Sequence, residues 1–164
     1  MTTMTRRTAL TLAAAGLIAA GSSPVLAGSA NHALNANENG VMLHGYDPVA
    51  YFTQDAAVEG DASISAEHEG VTYHFSSNET RDMFMAEPAK YVPAYGGYCA
   101  MGTAMGMKLD TNPELFRVVD DKLYLNVAEG PQKKWLSDIP THIARANENW
   151  PEIRNIPAAE LQAN

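Results

Sequence analysis

Apolar and polar residues alternate most regularly along Val71-Thr72-Tyr73-His74-Phe75. A period of two predicts a strand with Val71, Tyr73 and Phe75 on one face and Thr72 and His74 on the other. Glu69-Gly70 is a turn signal, so Ile64 to Phe75 is predicted to form a hairpin. A second hairpin is predicted from Phe116–Val119 and Leu123–Val127, joined at Asp120-Asp121. Val41-Met42-Leu43 reads as a short strand, and Asp47-Pro48 as a cap and first helical residue ahead of a turn over Val49–Phe52. Ser76-Ser77-Asn78-Glu79 has the form of a capping box, with Ser76 at the N-cap. The helix it opens carries Met83, Phe84 and Met85 towards the core and stops near Pro88, before a turn at Ala89–Val92. Four glycines between Tyr95 and Met107 argue against a helix there. Helices over Pro131–Ser137 and Asp138–Trp150 close the pattern, with Ile139, Ile143 and Ala146 on one face of the second. These elements predict a small single α+β domain: two short antiparallel β-hairpins packed with short helices, and a helical C-terminus.

The ends of the chain read differently. Met1 to Arg7 is basic, Ala9 to Ala20 is apolar, and Val25 and Ala27 place small residues where an export signal is cut. Residues 1–27 are therefore expected to be a signal peptide and the product periplasmic. Arg6-Arg7 resembles a twin-arginine signal, the alternative being an ordinary secretory signal that holds two arginines. The apolar run is too short for a membrane-spanning helix, so no stable insertion is expected after cleavage. Residues 28–39 read as a disordered lead-in and 157–164 as a loose tail. Without Arg6 and Arg7 the chain has 9 basic and 19 acidic residues, a net charge of −10. That balance repels phosphate backbones and disfavours nucleic acid as a partner. Neither a Ser-His-Asp motif, a phosphate loop nor a dinucleotide fingerprint is present, which disfavours hydrolase, nucleotide and nicotinamide chemistry.

Several stretches together resemble the exported branch of the bacterial YHS-domain family. They are Gly45-Tyr46-Asp47-Pro48-Val49-Ala50-Tyr51-Phe52, Tyr73-His74-Phe75-Ser76-Ser77, and Phe84 with Pro88 and Tyr91. Tyr95-Gly96-Gly97-Tyr98-Cys99-Ala100, Leu123-Tyr124-Leu125-Asn126 and Asn149-Trp150-Pro151 extend the likeness over nearly all of the mature chain. The resemblance implies a YHS-like domain over residues 40–156. Some members of that branch carry selenocysteine where Cys99 stands, which implies redox or soft-metal use of the position. Shorter YHS modules, found beside copper-transporting ATPases, are associated with metal binding through cysteines. The matching positions here are Ala50, Ser76 and Thr80, so that ligand set does not carry over.

Cys99 is the only cysteine and has no internal disulfide partner. It is a buried filler, a metal ligand or a reactive thiol. Met101, Met105 and Met107 follow closely, and thioethers with a thiolate suit Cu(I), although methionine is also a flexible core filler. Histidine is a common ligand and base. His44 and His74 are candidates, and His68 flanks the same hairpin turn as His74; the plainer reading is exposed histidines on an acidic surface. Lys90 and Lys108 are the nearest lysines to Cys99 along the chain. Asp110, Asp120 and Asp121 read as turn residues, Trp135 and Trp150 as packing residues. The expectation is a protein that binds or handles a soft or transition metal, copper favoured, through Cys99 with Met101, Met105, His74 and His44. The alternatives are a thiol redox enzyme with Cys99 as catalytic nucleophile, acting on a peroxide or small thiol and completed by an outside thiol, and a non-catalytic protein-interaction module.

Overall fold

Each hairpin closes on two left-handed residues: Glu69 (φ 52°) with Gly70 (81°), and Asp120 (48°) with Asp121 (55°). This turn twists in the sense that antiparallel strands require. The computed structural model describes residues 31–162. In it β1 (Asp61–His68) pairs with β2 (Val71–Phe75), and β3 (Asn112–Val119) with β4 (Lys122–Asn126), as two separate antiparallel sheets. Short helices α1 (Ala50–Thr53), α2 (Asn78–Ala86), α3 (Pro88–Tyr91) and α4 (Ala100–Ala104) occupy the intervals before β3. After β4 come α5 (Glu129–Ser137), α6 (Ile139–Ile153) and α7 (Ala158–Leu161). The protein is thus an α+β domain with a helical C-terminus. No helix among the described residues is long and apolar enough to cross a membrane. The expected signal peptide, residues 1–27, lies outside the described residues.

Strand β4 divides the core. Leu123 and Leu125 face a cluster that includes Val49, Tyr51, Tyr73, Phe75 and Phe84. Tyr124, on the opposite face, belongs to a second cluster with Tyr95, Cys99, Met101, Trp135 and Ala146. Residues 123–126 are all buried, so β4 is apolar on both faces apart from its last residue, Asn126. Alternation puts Asn126 on the Tyr124 side.

Several expectations are corrected. Val41–Leu43 forms isolated bridges to Ala36 and Thr72 followed by a 3-10 turn, because Leu43 and His44 take left-handed φ values of 54° and 52°. The cap of α2 is Ser77, whose hydroxyl accepts from the Thr80 amide at 3.2 Å. Ser76 is engaged elsewhere: its amide and hydroxyl donate to the buried Asp47 carboxylate at 2.8 and 2.7 Å, and Asp47 also accepts from the Val49 amide at 2.9 Å. Met85 points outward, 63% exposed, while Phe84 is buried. The glycine-rich stretch does contain a helix, α4. Gly102 is the place where α4 meets Leu109, and a Cβ there would come within 3.3 Å of the leucine side chain. This glycine serves close packing.

The described parts of the lead-in and tail are pinned rather than loose. The Asn35 amide donates to the Gly96 carbonyl at 2.8 Å, and Gly96 (φ 59°) is so close to Ala33 that a Cβ would collide with its carbonyl. Lys108 is fully buried, and its ammonium donates to the carbonyls of His32, Arg154 and Ile156. Gln162 returns a hydrogen bond to the Lys108 carbonyl at 2.9 Å. One side chain thus ties the leading segment to the end of α6.

Candidate functional site around Cys99

Cys99 stands at the N-cap of α4, and hydrogen bonds to both its amide and its carbonyl fix its backbone. Its amide donates to the Leu109 carbonyl at 2.9 Å, and its carbonyl accepts from the Thr103 amide at 2.8 Å. These turn the side chain inward. Sγ accepts from the Gly102 amide at 3.4 Å and donates to Asn126 Oδ1 at 3.7 Å. Cys99 has no solvent exposure. Around it pack Tyr95, Ala100, Met101, Tyr124, Trp135 and Ala146. The sulfur therefore lies inside an apolar shell with two polar contacts, one a backbone donor and the other a side-chain amide.

Asn126 is the less expected partner. Its Oδ1 also accepts from the Met101 amide at 3.4 Å. Its Nδ2, however, is buried and finds no acceptor among the described residues, and neither does the indole Nε1 of Trp135. Buried N–H groups of this kind are rare, because each forfeits its hydration without return. Trp135 is wholly buried, as its reading as a packing residue expects, and its ring lies 5.3 Å from that of Tyr124. The signal for Asn126 was a polar residue ending an otherwise apolar strand. Sequence alone does not indicate that the strand is buried on both faces, and so does not mark that asparagine as buried.

The remaining candidates have other partners. His44 Nε2 sits 2.9 Å from Asp110 Oδ1 on the surface. Burial pushes the Asp110 carboxyl up, but hydrogen bonds from Asn35, His44 and Thr111 outweigh it and hold the group below its ordinary value. Asp110 is therefore more than a turn residue. His74 lies on the half-buried face of β2 with its ring beside Gly45, as the alternation requires. His68 pairs with Val71 and His74 with Ser65, so the two histidines face opposite sides of the hairpin. His68 packs edge-on to Phe84, with ring centroids 5.8 Å apart. Met105, at the end of α4, is 57% exposed, whereas Met101 shares the cysteine's cluster. Lys108 is committed to its three carbonyls and lies 4.8 Å from the Tyr98 ring; burial lowers its pKa.

Met105, His74 and His44 thus have other surroundings, and of the candidates Met101 alone shares the cluster of Cys99. Among the described residues, no three His, Cys, Asp or Glu side chains gather around a common point. The phenols beside the sulfur stay neutral: burial, then the neighbouring Tyr124, raises Tyr95, and burial, then Asp120, raises Tyr124. A half-open cleft of about 350 Å³ reaches Tyr95 and is lined also by Tyr73, Trp150, Glu69 and Arg154. Comparison with protein-family models, curated proteins and solved structures finds no match.

Proposed function

We propose that the protein is an exported, periplasmic YHS-type domain that uses Cys99 for thiol redox chemistry on a small hydroperoxide. The observation that carries this reading is the polar lining of an otherwise apolar sulfur site. The Gly102 amide already donates to Sγ at 3.4 Å, and the Asn126 amide lies alongside at 3.7 Å. A thiol that only fills space needs neither: the Gly102 N–H is a donor to sulfur, and Asn126 Oδ1 is an acceptor for the thiol proton. The resemblance to a branch with selenocysteine at this position supports redox or soft-metal use of the sulfur. Cys99 has no exposed surface, so oxidant and thiol alike reach the sulfur when the surrounding cluster opens, and hydrogen peroxide is the smallest hydroperoxide that can enter. The cleft beside Tyr95 adjoins the cysteine's cluster through that tyrosine, while Cys99 itself does not line it.

The reaction balances with one sulfur. The thiolate attacks one peroxide oxygen, an S–O bond forms as the O–O bond breaks, and the departing oxygen leaves with a proton as water. Sulfur loses two electrons and becomes a sulfenic acid. With no second cysteine in the chain, an external low-molecular-weight thiol displaces water to give a mixed disulfide. A second such thiol then releases Cys99. The test is peroxide consumption by the mature protein with excess glutathione as reductant. Turnover that vanishes in Cys99→Ser supports the reading. Equal consumption by wild type and Cys99→Ser, or none by either, refutes it.

A further inference from the structure

The two buried donors without acceptors, Asn126 Nδ2 and Trp135 Nε1, belong to the same side of the core as the sulfur. Both side chains have zero exposure. They come from different elements, the end of β4 and the last turn of α5, and adjoin the cluster that encloses Cys99. The Asn126 amide faces the sulfur through Oδ1, and Tyr124 packs on Trp135 within that cluster. Two orphan N–H groups beside one thiol call for a specific explanation, and a redox role is one recognised cause. In the reduced protein Oδ1 takes the thiol proton, which leaves Nδ2 idle. Once sulfur carries an oxygen, the sulfenic O–H can still donate to Oδ1, and the lone pairs of the new oxygen offer the idle N–H groups an acceptor.

We infer that Asn126 and Trp135 form a receptor for the oxygen that peroxide leaves on Cys99, and so prolong the life of the sulfenic state until a thiol arrives. This rests on the peroxide reading above and goes further, because it assigns two positioning residues and a resting oxidised form. The S–O bond is made in the step already balanced, and the receptor adds only hydrogen bonds.

The experiment is ¹⁵N NMR of the full mature chain, reduced and after one equivalent of hydrogen peroxide, with mass spectrometry of the Cys99 peptide on the same samples. The Trp135 Nε1–H and Asn126 Nδ2–H signals should move on oxidation, and neither should move in Cys99→Ser. Trp135→Phe keeps the aromatic packing and loses the donor. It should shorten the sulfenic lifetime, read by dimedone trapping, by about tenfold, the scale of one buried hydrogen bond. Asn126→Asp keeps the acceptor and loses the donor, and should act in the same direction. If Cys99 gains its oxygen while both N–H signals stay still, the receptor is wrong and the peroxide reading survives. A water bridging the two donors in both states would give that result. If Cys99 stays reduced in excess peroxide, both fall. Should Trp135→Phe not fold, the wild-type shifts and Asn126→Asp still decide.

Discussion

Replacing Lys108 with methionine keeps the aliphatic stem and removes only the ammonium. Three carbonyls, those of His32, Arg154 and Ile156, then lose their donor. A buried acceptor left unpaired costs about 1–3 kcal/mol. The full threefold sum does not apply, for two reasons. His32 and Ile156 are half-buried and Arg154 is exposed, so their carbonyls regain water, and removing the charge also recovers its desolvation. The net loss is then about 2–4 kcal/mol, or a fall in Tm of about 10 °C for a domain of this length. The change reaches the cysteine as well. Leu109, next in sequence, supplies the carbonyl that holds the Cys99 amide at 2.9 Å. In urea titration Lys108→Met should lower the midpoint with little change in slope. At low urea its Cys99 should react with a maleimide faster than that of wild type. A stability loss under about 1 kcal/mol, with unchanged thiol reactivity, would refute the view that this one lysine holds the two ends of the domain on the site.

Other expectations are simpler. Asp47→Ala removes the acceptor of three donors and should cost about 2–4 kcal/mol in urea unfolding; a loss comparable to that of an exposed aspartate would contradict its bridging role. Gly96→Ala places a Cβ against the Ala33 carbonyl in a left-handed backbone. It should free residues 31–36, read as faster amide exchange there, and destabilise the domain by about 1–3 kcal/mol. The Asp110 carboxyl lies below its ordinary value when folded, so its stabilising contribution is present above about pH 4 and is lost as pH falls through the lowered folded value. Asp110→Asn should flatten that acid limb by only about 0–1 kcal/mol, because the His44 pair is largely exposed.

The hairpins were legible because turn chemistry and alternation agree at Glu69-Gly70 and at Val71 to Phe75. The face of α6 was legible for the same reason: Ile139, Ile143 and Ala146 all meet the second cluster. Helix α4 was hidden by its own packing device, since glycine weakens a helix in isolation yet admits Leu109 here. The cap of α2 slipped by one residue because adjacent serines offer the same chemistry, and only the fold brings Asp47 to Ser76 across 29 positions. At the site, Cys99 stands out as the sole thiol, but its direction is set by long-range contacts. Asn126 is reached through strand pairing, 27 residues on, and Trp135 through α5. Met105 and Met101 look equivalent along the chain and end on opposite sides of the surface boundary, because a short helix rotates one outward.

The most direct test treats folded wild-type protein with hydrogen peroxide in the presence of dimedone and maps the adduct by peptide mass spectrometry. Peptide mapping matters because exposed Met85 and Met105 also take up oxygen. The account predicts one dimedone adduct on Cys99, formed faster in the folded chain than in urea. An unmodified Cys99 in the folded chain, with the adduct appearing only after unfolding, would contradict it.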